Sequence, residues 1–503
     1  MHVSGGVRVA FRAPRRARGP LTWGQTAIWE VLRWQPPGDC SLNLLAVCPL
    51  PPDRTPDDVR AAVHELILRH EALHTLFEQV GAAPEQVVVD SGALEIQVYE
   101  AGGTDPDQAA SAVGALLRGT AFRMESELPL RIALVAQGAR LVRIVLCLSH
   151  MAVDEWSLTV VRDDLLALLN ATAPLGPPAQ QPLERARYEA SPEAQRRARR
   201  ALAKWERGVR SLPADWLAGP GPGGESDDGS GAGAQWAELR SRGLAAAVLA
   251  LAERSRLGPN LVLQALVALL LGIYRGRDEV GLRLIVATRF RPETAALVGA
   301  FNQNALLRVR LTDVCFSDYL GLAHAATLAA YATSECEPNE LERLVSGICR
   351  ERGVNPGGYC FYNNRDFSSS QAYRSSPAAR PNSAAGPPSS VGADDPAGRI
   401  TGIERLRHES SLTTTVPTSG EKGSTFFFFV NRLSERAHLV VHAEAGFLAP
   451  WGAGQFLLDL EWLALEALRT DAGPVRLAAA FAGQSATDRG PREELGTTDA
   501  KPH

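Results

Sequence analysis

Between Arg143 and Leu169 the spacing of the apolar residues changes abruptly, and few folds accommodate what stands at the change. Ile144, Val145, Leu146 and Leu148 make a short apolar run of strand length that gives out at Ser149. From Trp156 to Leu169 the apolar residues recur at helical spacing instead. His150 and Asp154 lie between the two, so an imidazole at the end of a buried strand is followed by a carboxylate at the mouth of a helix. Strand and helix fix the backbone on both sides. Asp154 can cap the helix or anchor the turn to a cation, and His150 keeps a ring nitrogen that can accept a proton. The same two residues also read as a satisfied polar pair with no chemistry. Either way, a strand handing over to a helix at a polar turn asks for an α+β architecture.

At 503 residues the chain exceeds one simple core and implies two lobes with loops. Its 52 basic and 56 acidic residues nearly balance, so no global field recruits nucleic acid or an anionic membrane. The charged stretch Ser191 to Arg210 carries Glu193, Arg196, Arg197, Arg199 and Arg200 without aromatic interleaving, which fits a solvated helix face. Seven scattered cysteines form no CxxC, which argues against a disulfide framework or zinc site and fits a reducing cytosol. Arg12, Arg15, Arg16 and Arg18 are followed by no apolar core or cleavage pattern, so they mark no secretory signal. The run Leu261 to Ile273 is interrupted by Gln264 and Gly272 and is too short to span a bilayer. The expectation is a soluble, cytoplasmic protein with no membrane or nucleic-acid partner.

The first lobe is expected over residues 1–182. Gly6 to Ala13 alternates as an edge strand, and the arginines after it read as a solvated turn. Leu21 to Trp34 has a helical stripe opened by Thr22 as N-cap, with Gln25 three residues on. Asp53 to Gln79 reads as one periodic helix, Gln86 to Tyr99 as strand, and Asp107 to Leu117 as helix. Leu130 to Val135 and Leu141 to Leu148 read as a hairpin leading into the opening stretch. Ala171 to Pro182 is a linker by composition.

The second lobe is expected over residues 183–483. Helices are expected at Leu244 to Ala252, Leu261 to Tyr274, Ser317 to Thr333 and Trp451 to Leu468. Strands are expected at Val280 to Ala287, Leu306 to Leu311 and Gly358 to Asn363, with Thr425 to Val430 and His438 to His442 pairing as a hairpin. Residues 219–234 read as a flexible loop, 367–399 as a low-complexity disordered insertion and 484–503 as a frayed tail.

Several separated segments resemble one superfamily. SHMAVDEWS, from Ser149 to Ser157, resembles the HHxxxDGxS motif of nonribosomal peptide synthetase condensation domains and their chloramphenicol acetyltransferase-like relatives. LTWGQTAIW, Leu21 to Trp29, is similar to the family's opening motif, and RHEALHTLF, Arg69 to Phe77, to its RHExLRTxF. VATRFRPE, Val286 to Glu293, resembles the segment ending in Gly-Arg. VGAFNQNALLRV, Val298 to Val309, resembles GxFxNTxPxRV, and the FYNN around Asn363 a later short strand. Order and spacing agree over residues 20–470.

The resemblance implies two chloramphenicol acetyltransferase-like lobes in a V shape with a central tunnel entered from opposite faces. It makes His150 the catalytic residue, which positions or deprotonates an attacking amine or hydroxyl, or stabilises developing charge, as a thioester carbonyl is attacked. Asp154 becomes a structural anchor paired with Arg289, with Arg291 the alternative if the register slips. Ser149, Glu155, Trp156, Ser157, Gln25 and Gln303 are expected as tunnel or motif residues. No metal and no bound cofactor are implied. The substrates would ride on the 4'-phosphopantetheine of an acyl or peptidyl carrier protein acting in trans, with a small-molecule amine or alcohol as acceptor. The expected activity is that of a freestanding condensation-type enzyme forming an amide or ester in natural-product biosynthesis. The alternatives are a catalytically impaired docking platform for carrier proteins or tailoring enzymes, and an acyl-coenzyme A-dependent acyltransferase.

This sequence departs from the motif at three places. Ser149 replaces the first His, Gln303 an Asn, and Glu155 the Gly. A glycine there keeps a backbone N–H open, whereas Glu adds a Cβ and a charge at a helix start. That residue either points away or remodels the entrance for a cationic or small untethered acceptor, or impairs condensation. His70, His74, His324 and His442 are competing histidines, and His70 and His74 stand at i, i+4, the spacing of a metal pair.

Overall fold

The computed structural model describes residues 2–170 apart from 82, then 175–176, 180–217, 234–366 apart from 292–293, 396–415, and 424–483 apart from 445. The first half runs β1 (His2–Arg12), β2 (Ala17–Pro20), α1 (Trp23–Trp34), β3 (Asn43–Pro49), α2 (Pro56–Arg69), β4 (Thr75–Val80), β5 (Ala83–Val88) and β6 (Ser91–Glu100). It continues with α3 (Pro106–Arg118), β7 (Leu130–Gln137), β8 (Arg140–Ser149) and α4 (Glu155–Asn170). Five strands form a sheet in the order β1-β6-β7-β8-β3, and β2-β5-β4 form a separate three-stranded sheet. Because β8 pairs with both β7 and β3, its C-terminal end is held on two sides. That end is where the chain must turn into α4.

Helices α5 (Pro182–Glu189) and α6 (Pro192–Ser211) lead into the second half. There β9 (Gln235–Ser241), α7 (Arg242–Ser255), α8 (Pro259–Arg275), β10 (Glu279–Val286), β11 (Gln303–Arg310), α9 (Phe316–Tyr331), α10 (Pro338–Glu351) and β12 (Cys360–Asn364) follow in turn. The chain closes with α11 (Pro396–Leu406), β13 (Ser411–Thr415), β14 (Phe426–Leu433), β15 (Ala437–Ala443), α12 (Gly452–Thr470) and α13 (Pro474–Ala482). Seven strands are ordered β11-β10-β12-β14-β15-β9-β13.

Period-two alternation explains why this sheet has one apolar face fully buried. Phe426, Phe428 and Val430 stand opposite Ala443, Val441 and Leu439, and all six are buried in the same core as α7, α8 and α12. Helix α8 is apolar nearly all round because it is wrapped on all sides, from Val262 to Gly272. No single helix among the described residues is long and apolar enough to cross a membrane.

The two halves exchange side chains. Val298 of the second half lies in the first-half core with Leu148 and Val161. Trp23 of α1 packs with Trp205, Leu306 and Leu341.

Three expectations need correction. The helix expected over Asp53 to Gln79 ends at Arg69, and Thr75 onward is strand. His70 leaves helical geometry, with φ −117° and ψ 101°, as its ring reaches Asp164 of α4, so a tertiary contact overrides the local periodicity. The single strand expected over Gln86 to Tyr99 is two, because the chain breaks at Asp90, whose carbonyl accepts from Ala13, and β5 and β6 join different sheets. The arginines after β1 are not a free turn. Arg18 lies in β2 and pairs with Glu78 at 2.9 Å, and Arg15 pairs with Glu71 at 2.6 Å. Most of the linker, both low-complexity loops and the tail fall outside the described residues, although residues 396–399 of the second loop open α11.

Candidate active site

Ser149 ends β8 opposite Asn43 of β3, and the next backbone N–H, that of His150, donates to the Leu42 carbonyl at 3.1 Å. The turn after it is apolar and sealed, with Met151, Ala152 and Val153 all inaccessible. Its carbonyls are therefore poor in water, and one of them is used. His150 Nδ1 lies 2.9 Å from the Val153 carbonyl oxygen. A carbonyl only accepts, so Nδ1 holds the ring proton and Nε2 presents its lone pair. Among the described residues no group engages Nε2, and His150 is half-buried.

Ser149 is buried and its hydroxyl accepts from the Met151 N–H at 3.3 Å. It braces the turn.

Asp154 is fully buried and its carboxylate is satisfied on both oxygens. Oδ1 accepts from the Ser157 N–H at 2.8 Å and from Arg289 Nη2 at 2.9 Å. Oδ2 accepts from Arg289 Nη1 at 2.8 Å and from the Phe301 N–H at 3.0 Å. Asp154 thus caps α4 and pairs with a guanidinium in fork geometry, the geometry that offsets desolvation of both charges. Arg289 Nη2 also donates to Ser157 Oγ at 2.6 Å, and Nη1 to the Ala287 carbonyl at 2.9 Å. Arg291 instead reaches the Tyr188 hydroxyl at 3.4 Å.

Ser157 completes the joint. Its hydroxyl accepts from the Gly299 N–H at 2.9 Å and donates to the Gly299 carbonyl at 2.7 Å. Thr288 sits at φ 49° although β-branched, a conformation that costs about 1–3 kcal/mol. Its hydroxyl donates to the Phe301 carbonyl at 2.7 Å.

Gln25 and Gln303 make no hydrogen bond to His150 among the described residues. Gln25 forms the capping box with Thr22, its Oε1 accepting from the Thr22 N–H at 2.8 Å and its own N–H donating to Thr22 Oγ1 at 3.1 Å. Gln303 bridges the halves, its amide nitrogen donating to the Cys336 carbonyl at 2.8 Å and its oxygen accepting from the Gly24 N–H at 3.0 Å.

Glu155 and Trp156 line a cavity of about 220 Å³ whose other walls come from the second half, among them Asn260, Gln264, Arg289 and Tyr362. Trp156 is fixed by its indole N–H donating to the Ala295 carbonyl at 2.8 Å. Glu155 is among the residues lining this space, and no described cation lies within ion-pair distance of it. Asn260 and Gln264 were not singled out from sequence as site residues. The available signal was two amides at i, i+4 within an otherwise apolar helix.

Three of the four competing histidines are occupied or sealed. His70 Nε2 lies 2.8 Å from Asp164, and burial holds its pKa below the ordinary value despite that carboxylate. His74 Nδ1 lies 2.6 Å from the Val89 carbonyl, so His70 and His74 do not converge on a common point. His442 is 1% exposed, and burial pushes its imidazole down to about 4. His324 is half-buried on α9. No group of three metal-ligating side chains is found among the described residues.

The sequence profile described as "Condensation domain" matches residues 20–346. This chain belongs to the condensation domain family. Phosphinothricin tripeptide synthetase PhsC of Streptomyces viridochromogenes is 28% identical over 66% of this condensation chain, which spans 31% of that relative's length. Among solved structures, a condensation domain described for chain release from the enacyloxin polyketide synthase superposes with a TM-score of 0.64 at 18% identity, covering 94% of this chain and 85% of that one. The teicoplanin X-domain in complex with OxyB superposes with a TM-score of 0.59 at 16% identity, covering 96% and 97%. The α+β class and the chloramphenicol acetyltransferase-like fold follow from these likenesses, and the family is one of nonribosomal peptide synthesis.

Proposed function

We propose that this chain transfers an acyl or aminoacyl group from a carrier-protein thioester to an amine or alcohol, with His150 as the group that handles the acceptor's proton. The observation that carries the reading is the Nδ1 contact to the Val153 carbonyl at 2.9 Å, which leaves a basic Nε2 unengaged. In the step, the acceptor nitrogen or oxygen bonds to the thioester carbon as Nε2 takes its proton. The carbon–sulfur bond then breaks, and the proton leaves with the sulfur as a thiol. The donor would be presented on 4'-phosphopantetheine, as is general for carrier proteins serving this family, and the carrier would be supplied as a separate protein.

The test is to mix the full chain with a loaded carrier protein and a panel of amines and alcohols. Product formation that is lost in His150→Ala supports the reading. Equal product with His150→Ala sinks it. Activity with free coenzyme A thioesters and no carrier would make the donor a coenzyme A ester instead.

One observation favours a second reading. Glu155 occupies the place of the motif's glycine at the cavity lining, and the X-domain neighbour is described in complex with another protein, OxyB. A docking platform of this fold would bind carrier or tailoring proteins equally well with His150→Ala and form no product with any acceptor.

A further inference from the structure

Among the residues lining the cavity of about 220 Å³, Glu155 carries a charge that no described ion pair compensates. Glu155 and Arg289 are the charged side chains among its walls. Arg289 contributes no net charge there, because both terminal nitrogens are taken by the fully buried Asp154 at 2.8 and 2.9 Å. Glu155, at the first turn of α4, meets no cation of the protein among the described residues.

A second acceptor belongs to the same lining. Gln264 is 3% exposed, and its amide nitrogen is spent on the Thr327 hydroxyl at 2.7 Å. Its carbonyl oxygen is engaged by no described group. The Asn260 oxygen is in turn occupied by the Tyr362 hydroxyl at 2.7 Å, which fixes the wall around it. The Gln264 oxygen, left without a donor by the described residues, can accept from a donor that enters the cavity. A carboxylate and an amide acceptor among the residues lining a cavity of about 220 Å³ suit a group that is cationic and rich in N–H donors.

His150 is not among the cavity walls. The nitrogen or oxygen that reacts must reach His150 Nε2, so a cation held by Glu155 is a different group of the same substrate. We infer that the Glu155 cavity selects substrates bearing a second, non-reacting ammonium or guanidinium group, bound between the Glu155 carboxylate and the Gln264 carbonyl. This rests on the acyl-transfer reading for the identity of the bound molecule, though not for the binding itself.

Butylguanidinium and the neutral, near-isosteric N-butylurea separate charge from shape. Calorimetric titration of the full chain should give a Kd for butylguanidinium about tenfold or more below that for N-butylurea, as a charge-assisted hydrogen bond provides. Glu155→Gln should bring the two probes within about twofold of each other, Glu155→Asp should keep part of the preference, and His150→Ala should keep all of it. Equal affinities in the native chain, a preference unchanged in Glu155→Gln, or butylguanidinium binding weaker than about 50 mM overturns the inference. Equal affinities in the native chain alongside intact product formation count against this inference alone. An intact preference with no product from any acceptor counts against acyl transfer alone.

Discussion

Arg289 grips Asp154 with both terminal nitrogens, at 2.8 and 2.9 Å, across 135 residues of sequence and from one half of the molecule to the other. The pair is sealed, with side-chain exposures of 2% and 0%. Removing the guanidinium leaves a buried carboxylate with two backbone donors and no counter-charge. Arg289→Ala is expected to lower unfolding stability by about 3–5 kcal/mol, read from the urea midpoint. The double change Asp154→Leu with Arg289→Met should cost less than Arg289→Ala alone, since no unpaired charge remains.

Ser157→Ala removes one hydroxyl and strands the Gly299 N–H that donates to it, while Arg289 Nη2 keeps Asp154. The expected loss is about 1–3 kcal/mol, the penalty for an unsatisfied buried donor. Amide exchange at Gly299 should rise with it, and unchanged exchange there would contradict this account of the joint.

Much of the architecture was legible because its signals are local. Thr22 and Gln25 announce a capping box, and the structure forms it. The apolar run into Ser149 and the helical spacing after Trp156 mark β8 and α4. What was missed is non-local. The helix breaks at His70 because Asp164, 94 residues away, claims its ring, and the strands β2, β4 and β5 are too short to declare themselves before they pair. Within the site, His150 and Asp154 stand out by position alone, whereas Arg289 is connected to Asp154 only through the family resemblance. Thr288 gives no sign in the sequence that its φ is 49°.

Gly24 of α1 lies close against the backbone of the second half. A Cβ there would lie 2.6 Å from Phe301 Cα and still nearer the Ala300 carbonyl oxygen, and neither backbone atom can swing aside. Gly24→Ala should destabilise the chain by about 1–3 kcal/mol by overpacking, seen as a lower thermal midpoint. A midpoint within error of the native chain would mean that α1 can shift away.

His442 gives a signed pH dependence. It is 1% exposed, neither ring nitrogen has a partner, and burial lowers its pKa from 6.5 to about 4. Above pH 6.5 both folded and unfolded forms are neutral and the residue has no effect on stability. Below it the unfolded chain takes up a proton that the folded chain refuses, so stability falls as the pH drops towards 4, by an amount on the order of 3 kcal/mol. Urea midpoints of the native chain and His442→Phe should therefore diverge between these two pH values, with the native chain losing more. Parallel curves would show that His442 does not stay neutral in the fold.

Thr22 gives the capping box a further consequence. Its hydroxyl accepts from the Gln25 N–H at 3.1 Å and donates to the Ala300 carbonyl at 3.1 Å, so one oxygen both finishes a helix in the first half and fastens a loop of the second. A hinge motion that parts the halves at this point must break the bond to Ala300 and loosen the first turn of α1 with it. Opening of the molecule and fraying of that helix are then a single event, and a substrate that wedges the halves apart would be felt first at Trp23, Gly24 and Gln25.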